Sequence, residues 1–234
     1  MREIVFDTET TGFDPKTGDR IVEFGAIEMI NHTPTGAVFH EYINPQRDMP
    51  QGAFEVHGLS EEFLSDKPLF EAIAEPLLAF IGDANLVAHN AQFDMKFLNF
   101  ELRQAGHEPI VDQARVVDTL ELARRKFPNG PNSLDHLCTR FGIDNSRRTK
   151  HGALLDSELL AEVYVELLGG RQTSLNLAAD VETPDQSDQQ AVTRTEIRQR
   201  PQPLPSRLSD QDRAAHKAMV GELSETALWH RYDT

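Results

Sequence analysis

A short apolar run near the start of the chain, Ile4-Val5-Phe6, leads directly into two acids two positions apart, Asp7 and Glu9. Such a run predicts a buried strand, and side chains two apart on a strand lie on the same face. The two acids should therefore converge. Carboxylates held side by side repel each other unless they are protonated or neutralised, and a divalent cation with oxygen ligands is the usual neutraliser. The alternative at this point is an ordinary strand that runs into a polar turn.

The size and charge of the chain restrict the possible functions. Its 234 residues can hold one good-sized domain and a smaller segment. A formal charge of -15 argues against non-specific attraction to nucleic acid, which normally comes from a basic surface. A polyanionic substrate would need local positive charge, either from divalent ions or from the basic stretch that contains Arg147, Arg148 and Lys150. That stretch can equally be a solvated loop.

Other classes of protein are excluded by composition. The single cysteine, Cys138, rules out an internal disulfide and a cysteine-based zinc cluster. No apolar run approaches the roughly 20 residues that cross a bilayer, and no basic-then-apolar leader is apparent at the start. We therefore expect a cytosolic (cytoplasmic) protein with no membrane partner.

The first 170 residues predict alternating strands and helices. Strands are expected at 4–6, 20–30, 37–43 and 86–88, the first three forming an antiparallel meander. Helices are expected at 69–81, 91–105, 119–126, 134–141 and 152–168, and the stretch 53–58 between these elements is interpreted as a loop.

Two further acids lie on predicted helices. Asp94 is in the first turns of the helix after strand 86–88, where an acid is often only a favourable partner for the helix dipole. Asp156 shares the apolar stripe of Leu160 and Val163, so it should point inward. A buried charged aspartate without a partner costs several kcal/mol. We therefore expect a cationic partner for Asp156.

A histidine completes the set. His151 precedes Asp156 by five residues, which on a continuous helix would place it about 140° away, so it is better placed just before the helix. Four carboxylates and an imidazole in one site are typical of a two-metal phosphodiesterase. Two divalent ions about 3.5–4 Å apart bind the attacking and leaving oxygens, and the histidine takes the proton from water. A reference pKa near 6.5 suits that base at neutral pH.

Three motifs, FDTETTG, HNAQFD and HGALLD, resemble in order and spacing the motifs of the DEDDh family of 3′-to-5′ exonucleases. The resemblance implies an α/β ribonuclease-H-like fold, with a mixed five-stranded sheet flanked by helices. It also implies that His151 is the general base; in a related branch a tyrosine takes this place. The implied ligands of two Mg²⁺ or Mn²⁺ ions are Asp7, Glu9, Asp94 and Asp156.

Within this family the chain is most similar to the proofreading subunits of bacterial replicative DNA polymerases, which implies that its substrate is a single-stranded DNA 3′ end. The sequence AFEVHG resembles their substrate-side loop and makes His57 a nucleotide contact, although a lone loop histidine is more often a packing residue. Many relatives have a polar residue where this chain has Gly52, so only the backbone could serve there. The implied substrate contacts are Asp7, Thr8, Glu9, Gly52, His57 and Asp156.

The composition changes after Gly170. Residues 183–205 are rich in Gln, Pro, Ser, Thr and charge and contain no aromatic residue, so they cannot bury enough surface to fold. We expect a nuclease domain at 1–170, a sliding-clamp motif at 171–178, a disordered linker at 179–208 and a polymerase-anchoring segment at 209–234. By resemblance, the clamp contacts are Gln172, Leu175 and Leu177, with Leu177 in the place of an aromatic residue.

The final segment resembles the one that binds the catalytic (alpha) subunit of the polymerase, with Leu228 and Trp229 as its large apolar element. A frayed terminus is the alternative. Three functions remain open: DNA proofreading, trimming of RNA 3′ ends by the same chemistry, and a non-catalytic bridge between polymerase and clamp. A linker and anchor favour the first over the second, and the intact set of catalytic residues speaks against the third.

Overall fold

The computed structural model of the chain describes residues 1–170 and 209–222. The chain divides into two compact units, Met1–Leu177 and Ala178–Thr234. Within the described ranges, no helix combines the length and the hydropathy that a membrane span needs.

A five-stranded mixed sheet in the order β3-β2-β1-β4-β5 forms the centre of the first unit. Its strands are β1 (Arg2–Thr10), β2 (Ile21–Ile30), β3 (Thr33–Tyr42), β4 (Asn85–Ala88) and β5 (Val116–Asp118). The first three strands form the predicted antiparallel meander, while β4 is parallel to β1 and β5 is parallel to β4. The implied mixed five-stranded sheet is therefore confirmed, and β5 is the strand for which the residue pattern gave no prediction.

Helices cover both faces of this sheet. They are α1 (Gln51–His57), α2 (Glu61–Leu64), α3 (Phe70–Ile81), α4 (Ala91–Gln104), α5 (Thr119–Lys126), α6 (Leu134–Phe141) and α7 (Ala153–Leu167), with short 3₁₀ turns at Pro15–Thr17 and Gln113–Arg115. Helices α3 to α7 lie within two residues of the predicted bounds.

The alternation of side chains along β1 divides the core into two layers. Ile4 and Phe6 pack with α3 and α4 on one face of the sheet. Val5 packs with α6 and α7 on the other face. Because Asp7 and Glu9 continue the odd-numbered series of Val5, they lie on the α7 face, beyond the apolar part of the strand.

The stretch 53–58, predicted as a loop, is a helix. Its end is fixed by Gly58, which has a φ of 77° and donates its backbone N–H to the Phe54 carbonyl at 2.8 Å. The prediction was wrong because α1 has only seven residues and most of them are exposed. A helix this short is held by contacts with distant residues rather than by its own apolar stripe.

The described part of the second unit is one helix, α8 (Asp210–Gly221). Ser209 caps it: the hydroxyl accepts from the Asp212 N–H, and the Asp212 carboxylate accepts from the Ser209 N–H. The predicted clamp contacts Gln172, Leu175 and Leu177 and the predicted polymerase contacts Leu228 and Trp229 lie outside the described residues.

Candidate active site

The end of β1 supplies the first two acids. Asp7 is partly buried and Glu9 is 7% exposed. On the neighbouring strand β2, Gly25 is paired with Asp7 and Glu23 with Glu9. The two acids share the face that α7 covers, so the convergence predicted from their spacing is confirmed.

Gly25 brings the start of α7 close to these acids. A Cβ on Gly25 would lie only 2.2 Å from the Leu154 backbone nitrogen, so a larger residue has no space. The Ser157 hydroxyl donates to the Gly25 carbonyl at 2.9 Å and fixes the helix on the strand. Asp156 lies in this first turn of α7 and is therefore held over the end of β1.

Asp94 reaches the same place from α4. It is 2% exposed and accepts a hydrogen bond from the Thr8 hydroxyl at 2.7 Å. The start of α4 is fixed by Asp118, whose carboxylate accepts from the backbone N–H groups of Asn90 and Ala91, both at 3.1 Å. Asp94 is thus more than a partner for the helix dipole. We call Asp7, Glu9, Asp94 and Asp156 the acid cluster.

The inward-pointing Asp156 has the cationic partner that we expected. The Arg148 guanidinium makes a bidentate contact with the Asp156 carboxylate, with Nε 2.5 Å from Oδ1 and Nη2 2.8 Å from Oδ2. The same guanidinium donates to Asp135 on α6 at 2.6 Å. These contacts raise the pKa of Arg148, which remains a cation.

His151 lies just before α7, as its spacing predicted, and is half exposed. Its Nδ1 is 3.5 Å from Asp156 Oδ2 and 2.9 Å from Arg148 Nη2. Its backbone N–H donates to the Val56 carbonyl at 3.2 Å. We call residues 147–151 the basic segment; it contains no helix or strand and docks on α1, where Lys150 also donates to the Phe54 carbonyl.

Three carboxyl groups of the cluster, those of Asp7, Glu9 and Asp94, hold their protons unusually strongly. Burial, with the charges of Asp94, Glu9 and Asp156, raises the pKa of Asp7 well above its usual value. Burial also raises the pKa of Glu9 to about 8 and that of Asp94 to about 7. Positive charge placed among these groups would favour their ionised forms, so the cluster has a strong electrostatic affinity for a cation.

The donor atoms also fit divalent ions. Glu9 Oε1 is buried and has no hydrogen-bond partner among the described residues. Ligand atoms of Glu9, His151 and Asp156 lie within 4.8 Å of one another. Carboxylate oxygens are the ligands that hard ions such as Mg²⁺ and Mn²⁺ prefer, whereas imidazole suits softer metals. The acid cluster can therefore hold such ions and leave the imidazole free to accept a proton.

His57 and Gly52 lie on α1, beside the docked basic segment. His57 is 6% exposed, and its Nδ1 accepts from the Leu59 N–H at 3.0 Å. Its Nε2 is buried near the Thr10 backbone without a regular hydrogen bond in the described chain. Burial lowers the pKa of His57, which keeps the ring neutral. Gly52 is exposed, and a Cβ there would meet no atom within 4 Å.

Three positioning residues were not singled out from the sequence: Gly25, Asp118 and Arg148. A glycine inside a strand can signal a close backbone approach, and an aspartate before a helix can signal a cap. Both signals were present, but neither indicates which distant segment the residue would contact. Arg148 was noted only as one member of a basic stretch.

Comparison with known proteins shows the family to which the chain belongs. A family model of exonucleases matches residues 4–164. The DNA polymerase III subunit epsilon of Rickettsia felis is 53% identical over 84% of this chain and 87% of its own length. That of Escherichia coli K12 is 42% identical over 97% of each chain. A solved structure of exonuclease X in complex with 5′-overhanging duplex DNA is similar with a TM-score of 0.56 and 25% identity, over 71% of this chain and 90% of that one. The chain therefore belongs to the exonuclease family and, within it, to the epsilon subunits of DNA polymerase III.

Proposed function

We propose that the chain removes mismatched nucleotides from the 3′ ends of DNA by phosphodiester hydrolysis, with two Mg²⁺ or Mn²⁺ ions bound by the acid cluster. The observation that carries this proposal is the proximity of four acids from β1, α4 and α7: the charges of Asp94, Glu9 and Asp156 all act on Asp7, and Glu9 Oε1 is buried without a hydrogen bond to any described residue. Ions bound there would supply positive charge for the scissile phosphate and for the attacking and leaving oxygens.

His151 is the general base of this proposal. Burial and the adjacent Arg148 charge lower its pKa, so the imidazole is neutral and able to accept a proton at physiological pH. The ring is half exposed, which gives an attacking water access to it. Asp156 Oδ2, at 3.5 Å from Nδ1, would stabilise the imidazolium that forms.

Contacts to the DNA strand are assigned to the surroundings of the acid cluster. The buried Nε2 of His57 is a polar atom that a nucleotide can satisfy, and Gly52 offers only its backbone. Thr8, whose hydroxyl holds Asp94, is assigned as a further contact because it lies between Asp7 and Glu9 in the sequence. Exposed Arg147 and Lys150 supply positive charge beside the site in a chain whose net charge is -15.

We assign residues 1–170 to the nuclease, Gln172, Leu175 and Leu177 to a sliding-clamp contact, 179–208 to a linker, and 209–234 to an anchor on the polymerase catalytic subunit. Residues 210–219 of α8 are all exposed, and Met219 is 51% exposed, so the helix offers apolar surface to a partner. The linker would keep the nuclease near the primer end at raised effective concentration. Leu228 and Trp229 would be the main anchor residues, since a buried tryptophan is a typical hot spot.

One assay tests the activity. Strands with matched or mismatched 3′ ends, made of DNA or RNA, are digested with Mg²⁺ or Mn²⁺, and then with EDTA. We expect faster removal of mismatched DNA ends and no reaction with EDTA. If RNA is digested faster than DNA, the function is RNA trimming and not DNA proofreading. If no strand is digested, only a non-catalytic role as a bridge between polymerase and clamp remains.

A second assay tests the anchor. Deletion of residues 209–234, or Trp229→Ala, should weaken co-purification with the polymerase catalytic subunit and leave digestion of free single strands unchanged. Deletion of 171–234 should likewise leave digestion of short strands unchanged, because the five catalytic candidates precede Gly170. The control is Met219→Ser on α8, which reports whether the described helix itself contributes. If the chain without 209–234 binds the polymerase as tightly as the full chain, the contact lies on the nuclease.

A further inference from the structure

The Arg148 side chain contacts three ionisable side chains, although it lies in a segment without helix or strand. Only 7% of its side chain is exposed, although it belongs to a segment without regular structure. It contacts Asp156 through Nε and Nη2, Asp135 through Nη1, and His151 through Nη2. One guanidinium therefore joins a proposed metal ligand, the proposed base and a carboxylate outside the acid cluster.

The contact with Asp156 competes with metal binding. Both oxygens of this carboxylate accept hydrogen bonds from the guanidinium, at 2.5 and 2.8 Å. A metal ion would need lone pairs on the same oxygens, and its positive charge would be repelled by a guanidinium this close. The bidentate contact uses one lone pair of each oxygen and holds a cation beside the carboxylate, so Arg148 at Asp156 and an ion bound to Asp156 disfavour each other.

Asp135 offers the guanidinium another place. Its Oδ2 is already 2.6 Å from Arg148 Nη1, and its side chain is 52% exposed. Arg148 can keep this bond and turn the rest of its guanidinium away from Asp156, toward solvent. The same movement separates Nη2 from both ring nitrogens of His151, now 2.9 Å from Nδ1 and 3.3 Å from Nε2, and so frees the ring.

From this geometry, and resting on the proposed function of the acid cluster, we propose that Arg148 is a positioning residue that moves between Asp156 and Asp135. Without ions it neutralises Asp156 and holds His151. When ions bind, Arg148 is displaced to Asp135, and Asp156 and His151 become available together. Ion binding and release of the base are thereby coupled through a single side chain.

The first experiment measures Mn²⁺ affinity by calorimetry in the full-length chain. Arg148→Gln should bind Mn²⁺ roughly tenfold more tightly than the wild type, because a competing charge-assisted contact is gone. The control is Arg147→Gln, a neighbouring arginine that is 74% exposed and 3.4 Å from Glu158, where we expect no change. A purely structural role for Arg148 predicts weaker binding in Arg148→Gln, and equal or weaker binding would overturn the proposal.

A second experiment uses the unaltered chain and does not depend on the stability of a variant. The Nε–Hε signal of Arg148 is followed by NMR as Mg²⁺ is added. It should move as the bond to Asp156 is lost, whereas the Arg147 signal should stay. An Arg148 signal that does not move at saturating Mg²⁺ would equally overturn the proposal.

Asp156→Asn separates this inference from the proposed function. If Asp156→Asn binds Mn²⁺ as tightly as the wild type, Asp156 is not a metal ligand and the proposed site itself fails. If Asp156→Asn weakens Mn²⁺ binding but Arg148→Gln does not tighten it, the site stands and only the movement of Arg148 is refuted. Weaker Mn²⁺ binding by Asp156→Asn together with tighter Mn²⁺ binding by Arg148→Gln would support both the proposed metal site and the movement of Arg148.

Discussion

The acid cluster and the basic segment meet at one site but are held there by different means. The acids lie on β1, α4 and α7, elements that also carry the core residues of both layers. The basic segment has no regular structure and is docked on α1 by a few hydrogen bonds, such as that from the His151 N–H to the Val56 carbonyl. One part of the site is therefore fixed by the core and the other by surface contacts.

This difference assigns separate tasks to the two parts. Four acids that repel one another need a rigid frame, because otherwise they would separate and lose their affinity for ions. A base that exchanges protons with water needs exposure, and His151 is half exposed. We therefore expect changes in the acid cluster to abolish the reaction and changes in the basic segment to slow it.

The largest effect should come from removing one acid. Asp7→Ala, Glu9→Ala, Asp94→Ala or Asp156→Ala should each lower single-turnover digestion of single-stranded DNA by roughly 10³-fold or more, because several kcal/mol of charge stabilisation are lost. The chain should remain folded, as judged by circular dichroism. The control is Glu158→Ala on α7, whose side chain is 44% exposed and should be dispensable. Near-normal turnover by Asp156→Ala at saturating Mg²⁺ would remove it from the site.

His151→Ala should have the next largest effect. Loss of a general base lowers the rate by roughly 10²- to 10⁴-fold, and Mn²⁺ affinity should be largely kept. Because the pKa of His151 is lowered, the wild-type rate should be level at neutral pH and fall only as the pH drops below about 6.5, where the ring becomes protonated. A pH profile that is flat between 5 and 8, with chemistry limiting, contradicts this role.

Gly25→Ala tests whether the acid cluster depends on the packing of α7. The added methyl group would overlap the backbone at Leu154, so we expect a loss of about 1–3 kcal/mol in unfolding free energy and a slower reaction. Gly221→Ala is the control, since a Cβ there meets no atom within 4 Å. Full activity and stability of Gly25→Ala would mean that the start of α7 can shift without harm.

The smallest effect should be on the pH dependence of the melting temperature when no ions are bound to the acid cluster. The pKa of Glu9 is raised from 4.5 to about 8 and that of Asp94 from 3.8 to about 7. Groups with a raised pKa in the folded state favour folding while they are protonated, so this stability is lost as the pH rises through the folded values. In EDTA, the melting temperature should therefore fall between about pH 5 and 8.

Two comparisons sharpen this test. Mg²⁺ should reduce the fall in melting temperature, because bound ions favour the ionised carboxylates. Glu9→Gln should reduce it as well, because one of the carboxyl groups with a raised pKa is gone. A melting temperature in EDTA that rises over this pH range would contradict the raised pKa values of Glu9 and Asp94.

The same contrast explains what the sequence could predict. Asp7, Glu9 and Asp156 followed from strand and helix periodicity, because elements of the core impose that periodicity on their residues. A cation for Asp156 followed from the energy of a buried charge. The roles of the catalytic residues then came from the resemblance of three motifs, which also implied the five-stranded sheet.

What the sequence did not predict depends on contacts between distant segments. Helix α1 and the three-residue β5 are too short for a periodic pattern. The choice of Arg148 as the partner of Asp156 depends on how the basic segment docks on α1, which no local rule specifies. Asp118 acts across 27 and 28 residues on the backbone at the start of α4.

The central claim is that the acid cluster binds ions at the scissile phosphate while His151 acts on the proton. It is tested most directly by single-turnover release of the last nucleotide from a DNA strand with sulfur in place of a non-bridging oxygen in its final linkage. We predict that sulfur slows the reaction with Mg²⁺, which prefers oxygen ligands, and that the softer Mn²⁺ restores much of the rate. His151→Ala should be slower with either ion and keep the same ratio. A sulfur effect that Mn²⁺ does not relieve, or that disappears in His151→Ala, would contradict this division of tasks.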